Sequence, residues 1–135
     1  MGIKARGNAK AAALQAMALV PTQGLLKALG VEIIRLINDG FEAERNPYGA
    51  KWKKIKRDGR ILQKTGAMRA SFKVRYLAKA VSVFASLNYA NFHQFGTRNM
   101  VRREMVPMRG LPRLWRRDLD ETVDEFLALQ VANAR

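Results

Sequence analysis

Ser71-Phe72-Lys73-Val74-Arg75-Tyr76, a short link through Ala78-Lys79-Ala80, and then Val81-Ser82-Val83-Phe84-Ala85-Ser86 set the architecture of this chain. Successive side chains of a strand point to opposite faces, so strict alternation marks a half-buried strand. Phe72, Val74 and Tyr76 alternate with Ser71, Lys73 and Arg75. Val81, Val83 and Ala85 alternate with Ser82, Phe84 and Ser86. The connection is short enough for an antiparallel hairpin. One face of that hairpin is apolar, and the other is polar and basic, with Ser71, Lys73 and Arg75 on one side as a stripe.

The apolar face needs a cover, and the segment upstream supplies one. Pro21 breaks the chain, Thr22 caps a helix, and Leu25 or Leu26, Leu29, Ile33, Leu36, Ile37 and Phe41 recur at spacings of three and four. That helix stops before Asn46-Pro47, because a residue preceding proline is pushed out of the α region. A loop runs from Asn46 to Arg60, and Thr65 caps a short helical turn through Met68. Beyond the hairpin, Tyr89 to Phe95 reads as a short helix closed by Gly96. Thr97 to Arg103 is a basic surface loop, and Met105 to Met108 reads as an edge strand interrupted by Pro107. Asp118 and Glu121 resemble a capping box that opens a closing helix with Leu119, Val123, Phe126 and Leu127 on its apolar face. Upstream, Asn8 to Leu19 is Ala-rich, with strong helix propensity but few large apolar side chains to anchor it. The expectation is an α+β fold in one domain, 1–135. A small antiparallel sheet packs against a long helix of the N-terminal half and a C-terminal helix, with 22–132 as the core module. Residues 1–21 form a peripheral, mobile extra helix.

Composition narrows the function classes. No stretch approaches the roughly 18 apolar residues that would span a membrane, and Gln15 interrupts the apolar part of the N-terminus, which argues against a secretory signal. No cysteine is present, so neither disulfides nor thiolate metal sites stabilise the fold; burial or partner subunits must. The net charge is +14, and Lys51 to Lys79 holds 11 basic residues against the single acid Asp58, so most of the excess sits there. Such a field attracts polyanions.

The residues that usually carry chemistry do not assemble into a catalytic or metal constellation. His93 is the lone histidine, next to Gln94, without the partners a hydrolytic triad or a zinc site requires. Glu42, Glu44, Asp118, Asp120 and Glu121 lie near expected helix ends, where solvation and the helix dipole account for them. Gly66 and Gly96 belong to no Gly-rich run ending in Lys-Ser or Lys-Thr, and read as positions of positive φ or close packing. Trp52, flanked by Lys51, Lys53 and Lys54, can stack on a base or fold back as the lid of a small core; its size favours the lid. The reading is of a protein without catalytic residues, cofactor or metal.

Four motifs in order then point to a family. Asn46-Pro47-Tyr48-Gly49-Ala50-Lys51-Trp52 holds a Pro-x-Gly-x-x-Trp loop, and Leu62-x-x-Thr65-Gly66-x-Met68-x-x-Ser71 follows it. Tyr89-Ala90-x-x-His93-Gln94-Phe95-Gly96 comes next, and Val106-Pro107-x-Arg109 closes the series. In this order they resemble the phage virion-morphogenesis, or tail-completion, proteins, over roughly Phe41 to Leu127. Pro47, Gly49, Trp52, Thr65, Gly66, Ser71, Tyr89, Ala90, His93, Gln94, Gly96, Pro107 and Arg109 carry the match. After Arg109 the family usually continues Pro-Phe-Leu, whereas this chain reads Gly110-Leu111-Pro112. The resemblance implies a non-enzymatic structural subunit that finishes a tail or joins it to the head. It implies a ring-forming homo-oligomer that meets neighbouring tail or neck proteins, made in the host cytoplasm and carried in the virion. Lys51, Lys53, Lys54, Lys56, Lys73 and Arg75 are candidates for contact with packaged DNA, without sequence preference, or with the acidic last helix of another subunit. The alternation leaves both partners open. The rival reading from another class is a free-standing, non-sequence-specific nucleic-acid-binding protein, resting on the charge alone.

Overall fold

The structure, a computed structural model, describes residues 22–55, 59, 61–63 and 65–133. The helix expected over Asn8 to Leu19 and the side chains of Thr22 and Lys56 lie outside the described set. In chain order the elements are α1 (Thr22–Ala43), α2 (Ala67–Ala70), β1 (Phe72–Tyr76), β2 (Val81–Ala85), α3 (Ala90–Phe95) and α4 (Arg113–Asn133). The class is α+β.

The long helix α1 is the spine, because its apolar stripe is wide enough to serve two neighbours. Leu25, Leu26, Leu29, Ile33, Leu36, Ile37 and Phe41 are all buried, the last three turns almost completely. Each such side chain contributes roughly 1.5–3 kcal/mol of transfer free energy. The hairpin and α4 both pack against α1, and a glycine lies at each contact. A Cβ on Gly24 would stand 3.2 Å from the Phe126 ring of α4, and one on Gly30 would stand 2.5 Å from the Tyr76 hydroxyl of β1. Gly30 follows Gly24 by six positions, which turns the second contact about 120° around the helix from the first. The hairpin and α4 therefore occupy different flanks.

The hairpin is antiparallel, as expected, and its register is now fixed residue by residue. Phe72 faces Ala85, Val74 faces Val83 and Tyr76 faces Val81, while the intervening pairs are Lys73 with Phe84 and Arg75 with Ser82. Phe72 and Val81 are buried and Val74 is half-buried. Phe41 ties the layers together: its ring meets Trp52 edge-on at 5.3 Å and lies 6.0 Å from Phe72.

Three expectations are corrected. Met105 to Met108 does not add an edge strand; the described sheet has two strands. The buried side chain of Gln94 takes over the hydrogen bonds a neighbouring strand would have made with Met105 and Val106. The closing helix starts at Arg113, not at Asp118. Pro112, whose carbonyl accepts from the Arg116 N–H at 2.9 Å, opens it, since proline suits the first turn of a helix. Asp118 is then an interior position whose carboxylate meets Arg35 of α1 at 3.0 Å. Ser71, finally, does not share the exposed stripe with Lys73 and Arg75. It is 4% exposed and closes α2, with its Oγ donating to the Met68 carbonyl at 2.6 Å.

Candidate functional site

The first motif forms a small closed loop built by one side chain. Asn46 Oδ1 accepts from the N–H groups of Tyr48 and Ala50, both at 3.0 Å, while the Asn46 N–H donates to the Ala50 carbonyl at 2.8 Å. Gly49 has φ +99°, a conformation that L side chains rarely adopt. Pro47 is half-buried and Lys51 exposed. The loop delivers Trp52 inward: the ring is 6% exposed, and Nε1 donates to the Glu104 carbonyl at 2.9 Å. Trp52 is thus a core lid, and no face is left for a base.

The third and fourth motifs meet this loop. Gln94 Oε1 accepts from the Met105 and Val106 N–H groups at 2.8 and 3.2 Å, and Nε2 donates to the Val106 carbonyl at 2.8 Å. The segment held by Gln94 is thus the one whose Glu104 carbonyl receives Trp52. Pro107 follows directly and is half-buried. Arg109 stacks its guanidinium 4.9 Å above the Tyr48 ring, and the Tyr48 hydroxyl accepts from the Arg109 N–H at 2.8 Å and donates to the Gly110 carbonyl at 2.9 Å. The Gly110-Leu111-Pro112 departure from the family pattern is thus fastened to the first motif by Tyr48. Sequence reasoning passed over Tyr48, although its place between Pro47 and Gly49 was a signal.

The second motif forms the turn into α2, whose N-cap is Gly66 and not the expected Thr65, and the helix runs from Ala67 to Ala70. The Ala67 N–H donates to Thr65 Oγ1 at 3.2 Å, and Gly66, at φ 75°, precedes α2 in a left-handed conformation. Thr65 and Met68 line a shallow cleft with Tyr89, His93, Ile55, Leu62 and Arg103. In α3 Ala90 is buried, Tyr89 caps the start and is exposed, and the Tyr89 ring meets His93 edge-on at 6.3 Å. His93 accepts the Arg103 N–H on its backbone carbonyl at 2.7 Å. Its Nδ1 is buried without a partner among the described residues, and burial, aided by the Arg103 charge, lowers the imidazole pKa below its usual value of 6.5. Gly96 ends α3 with φ 73° and ψ 167°, and a Cβ there would stand 3.0 Å from the Arg102 backbone nitrogen.

The basic residues divide into those spent on structure and those facing out. Arg103 Nε donates to the Lys53 carbonyl at 3.0 Å, and Arg45 to the Gly49 carbonyl at 2.8 Å. Arg69 binds Asn38, Glu42 and Gln63, tying α2 to α1. Arg35 gathers Glu32, Asp39 and Asp118 around one guanidinium, and these acids raise its pKa further above the ordinary arginine range. By contrast Lys51, Lys53, Lys54, Lys73, Arg75 and Lys79 are exposed. On the outer hairpin face Arg75 lies 5.1 Å over the Phe84 ring. Sequence gave no sign of Glu104, a carboxylate 4% exposed that pairs with Arg102. Among the described residues no helix is long and apolar enough to cross a membrane.

The side chains of the first, third and fourth motifs thus hold one loop frame together, and the second motif lines a cleft beside it. The sequence model of the phage virion morphogenesis family matches residues 8–122. No curated protein and no solved structure matches.

Proposed function

Because the chain belongs to the phage virion morphogenesis family, we propose that it is a non-enzymatic structural subunit that completes the tail or joins it to the head, acting as several identical copies. The observation that carries the reading is where the motif side chains go. Trp52, Gln94 and Ser71 are buried and Gly96 lies in a turn; Trp52 meets Phe41 of α1, Gln94 holds Met105 and Val106, and Ser71 closes α2. A frame of this kind fixes the shape of an outer surface, and assembly proteins act through such surfaces. The surface itself is polarised, with a basic hairpin and an acidic stretch on α4. Such polarity suits a repeating head-to-tail contact, which closes a ring when the rotation allows. The protein then belongs in the tail or neck of the particle, made in the host cytoplasm and meeting neighbouring tail or neck proteins. Quantitative mass spectrometry of purified virions tests this. A fixed number of copies per particle, retained through density-gradient purification, is the expected result; absence from infectious particles would refute a place in the virion.

A further inference from the structure

We propose that the outer face of the β1–β2 hairpin is a docking surface for the acidic outer face of α4 on a second copy of this chain. The inference rests on the assembly reading above and names the contact that the copies make.

The hairpin face consists of Lys73, Arg75, Ser82 and Phe84, all exposed. Phe84 lies against the Arg75 guanidinium and opposite Lys73 in the register, so an aromatic ring is flanked by two cations. Neither cation has a carboxylate partner among the described residues. On α4, Asp118 to Asn133 contains five of the chain's 11 acids and no Lys or Arg. Asp118 is committed to Arg35 and Arg117. Glu121 and Glu125 are exposed on the side away from Trp115, Leu119 and Val123, which are buried. Ala128, seven residues after Glu121, leaves a shallow place on the same side.

Among the described residues, neither Glu121 nor Glu125 has a basic partner. The first turn of α4 contains no acid, and Glu121 and Glu125 lie beyond it, where the helix dipole no longer favours negative charge. Like charges four residues apart also disfavour an isolated helix. The basic face has the same difficulty, with Lys73 and Arg75 side by side on one strand. The two faces cannot relieve each other within a copy, because the hairpin and α4 pack on different flanks of α1. Between copies, one contact neutralises both, with Phe84 set over Ala128. A nucleic acid would answer only the basic face and leave the acids of α4 unmatched.

Two variants of the full chain test the contact: Lys73→Glu with Arg75→Glu, which makes both faces acidic, and Glu121→Lys with Glu125→Lys, which makes both basic. Self-association is read by sedimentation at low salt. Wild type is expected to associate, and each variant alone to associate at least about tenfold more weakly. An equimolar mixture of the two, and a chain with all four changes, should regain association. A wild type that stays monomeric, variants that associate normally, or a mixture that stays apart would each overturn the proposal. So would a hairpin variant that loses retention on duplex DNA and is not rescued by the helix variant, which would assign the face to DNA. The same alleles placed in the phage genome separate the two claims. If deletion of the gene blocks assembly but the fourfold variant is no better than either pair, the contact is wrong and the assembly role stands. If deletion leaves particles normal, the role itself is wrong.

Discussion

Replacing Gln94 with leucine removes the side chain that stands in for a strand. The volume is nearly kept, so packing changes little, and the effect falls on three hydrogen bonds: Oε1 with the Met105 and Val106 N–H groups and Nε2 with the Val106 carbonyl. Met105 is 4% exposed, so its N–H would be stranded without water, at about 1–3 kcal/mol. Val106 is half-buried, and its two groups can be partly rehydrated, so each is assigned only the ordinary net value of about 0.5–1.5 kcal/mol. The sum is roughly 2–6 kcal/mol against a total stability of order 5–15 kcal/mol for a small domain. Urea denaturation followed by far-ultraviolet circular dichroism measures this as a lower midpoint at unchanged slope. Native-state hydrogen exchange supplies a local readout: the Met105 amide should lose protection beyond what the global change explains. Gln94→Leu at wild-type stability, with Met105 still protected, would refute the idea that this amide replaces a strand.

Ile33 is 2% exposed at the centre of α1, and Ile33→Ala is expected to cost about 2–5 kcal/mol in the same urea experiment. Gly96→Ala should cost about 1–3 kcal/mol, because φ 73° and ψ 167° is a glycine region and the Cβ would press on the Arg102 backbone. Gly30→Ala, by contrast, should be nearly neutral in a thermal melt: the obstructing Tyr76 hydroxyl ends a side chain that is 43% exposed and free to swing away, and alanine favours the helix. His93 has a folded pKa below its unfolded value, so the unfolded state binds the proton first. Stability should fall as pH drops from about 6.5 toward the depressed folded pKa, and His93→Asn should flatten that limb in urea titrations at stepped pH.

The elements that local pattern alone specifies were legible in the sequence. The stripe of α1 and the alternation of β1 and β2 depend on neighbours along the chain, and the short Ala78-Lys79-Ala80 link made the pair antiparallel. The differences all involve partners distant in sequence. Met105 and Val106 look like a strand because apolar residues with extended backbone do, yet their hydrogen bonds go to a side chain on α3. Asp118 and Glu121 have capping-box spacing, which is the same in a helix interior as at a helix start; Pro112, with Trp115, Leu119 and Val123 spaced by four, was the better signal. Ser71 continues the polar alternation of β1 on paper, but the end of α2 claims its hydroxyl. Trp52 was readable as a lid from its size, although which carbonyl it would reach was not. The inward side chains of the motifs could be placed only once loops from four parts of the chain were seen to meet.

Deletion of the gene from the phage or prophage that encodes it, followed by electron microscopy of the lysate, tests the central claim most directly. A structural subunit of the tail or neck leaves DNA replication and head filling intact and stops assembly later, so filled heads with absent, unjoined or abnormal tails are expected, and a plasmid copy should restore them. Normal infectious particles from a deletion with no second copy of the gene would contradict the account, and so would failure of replication before any heads appear.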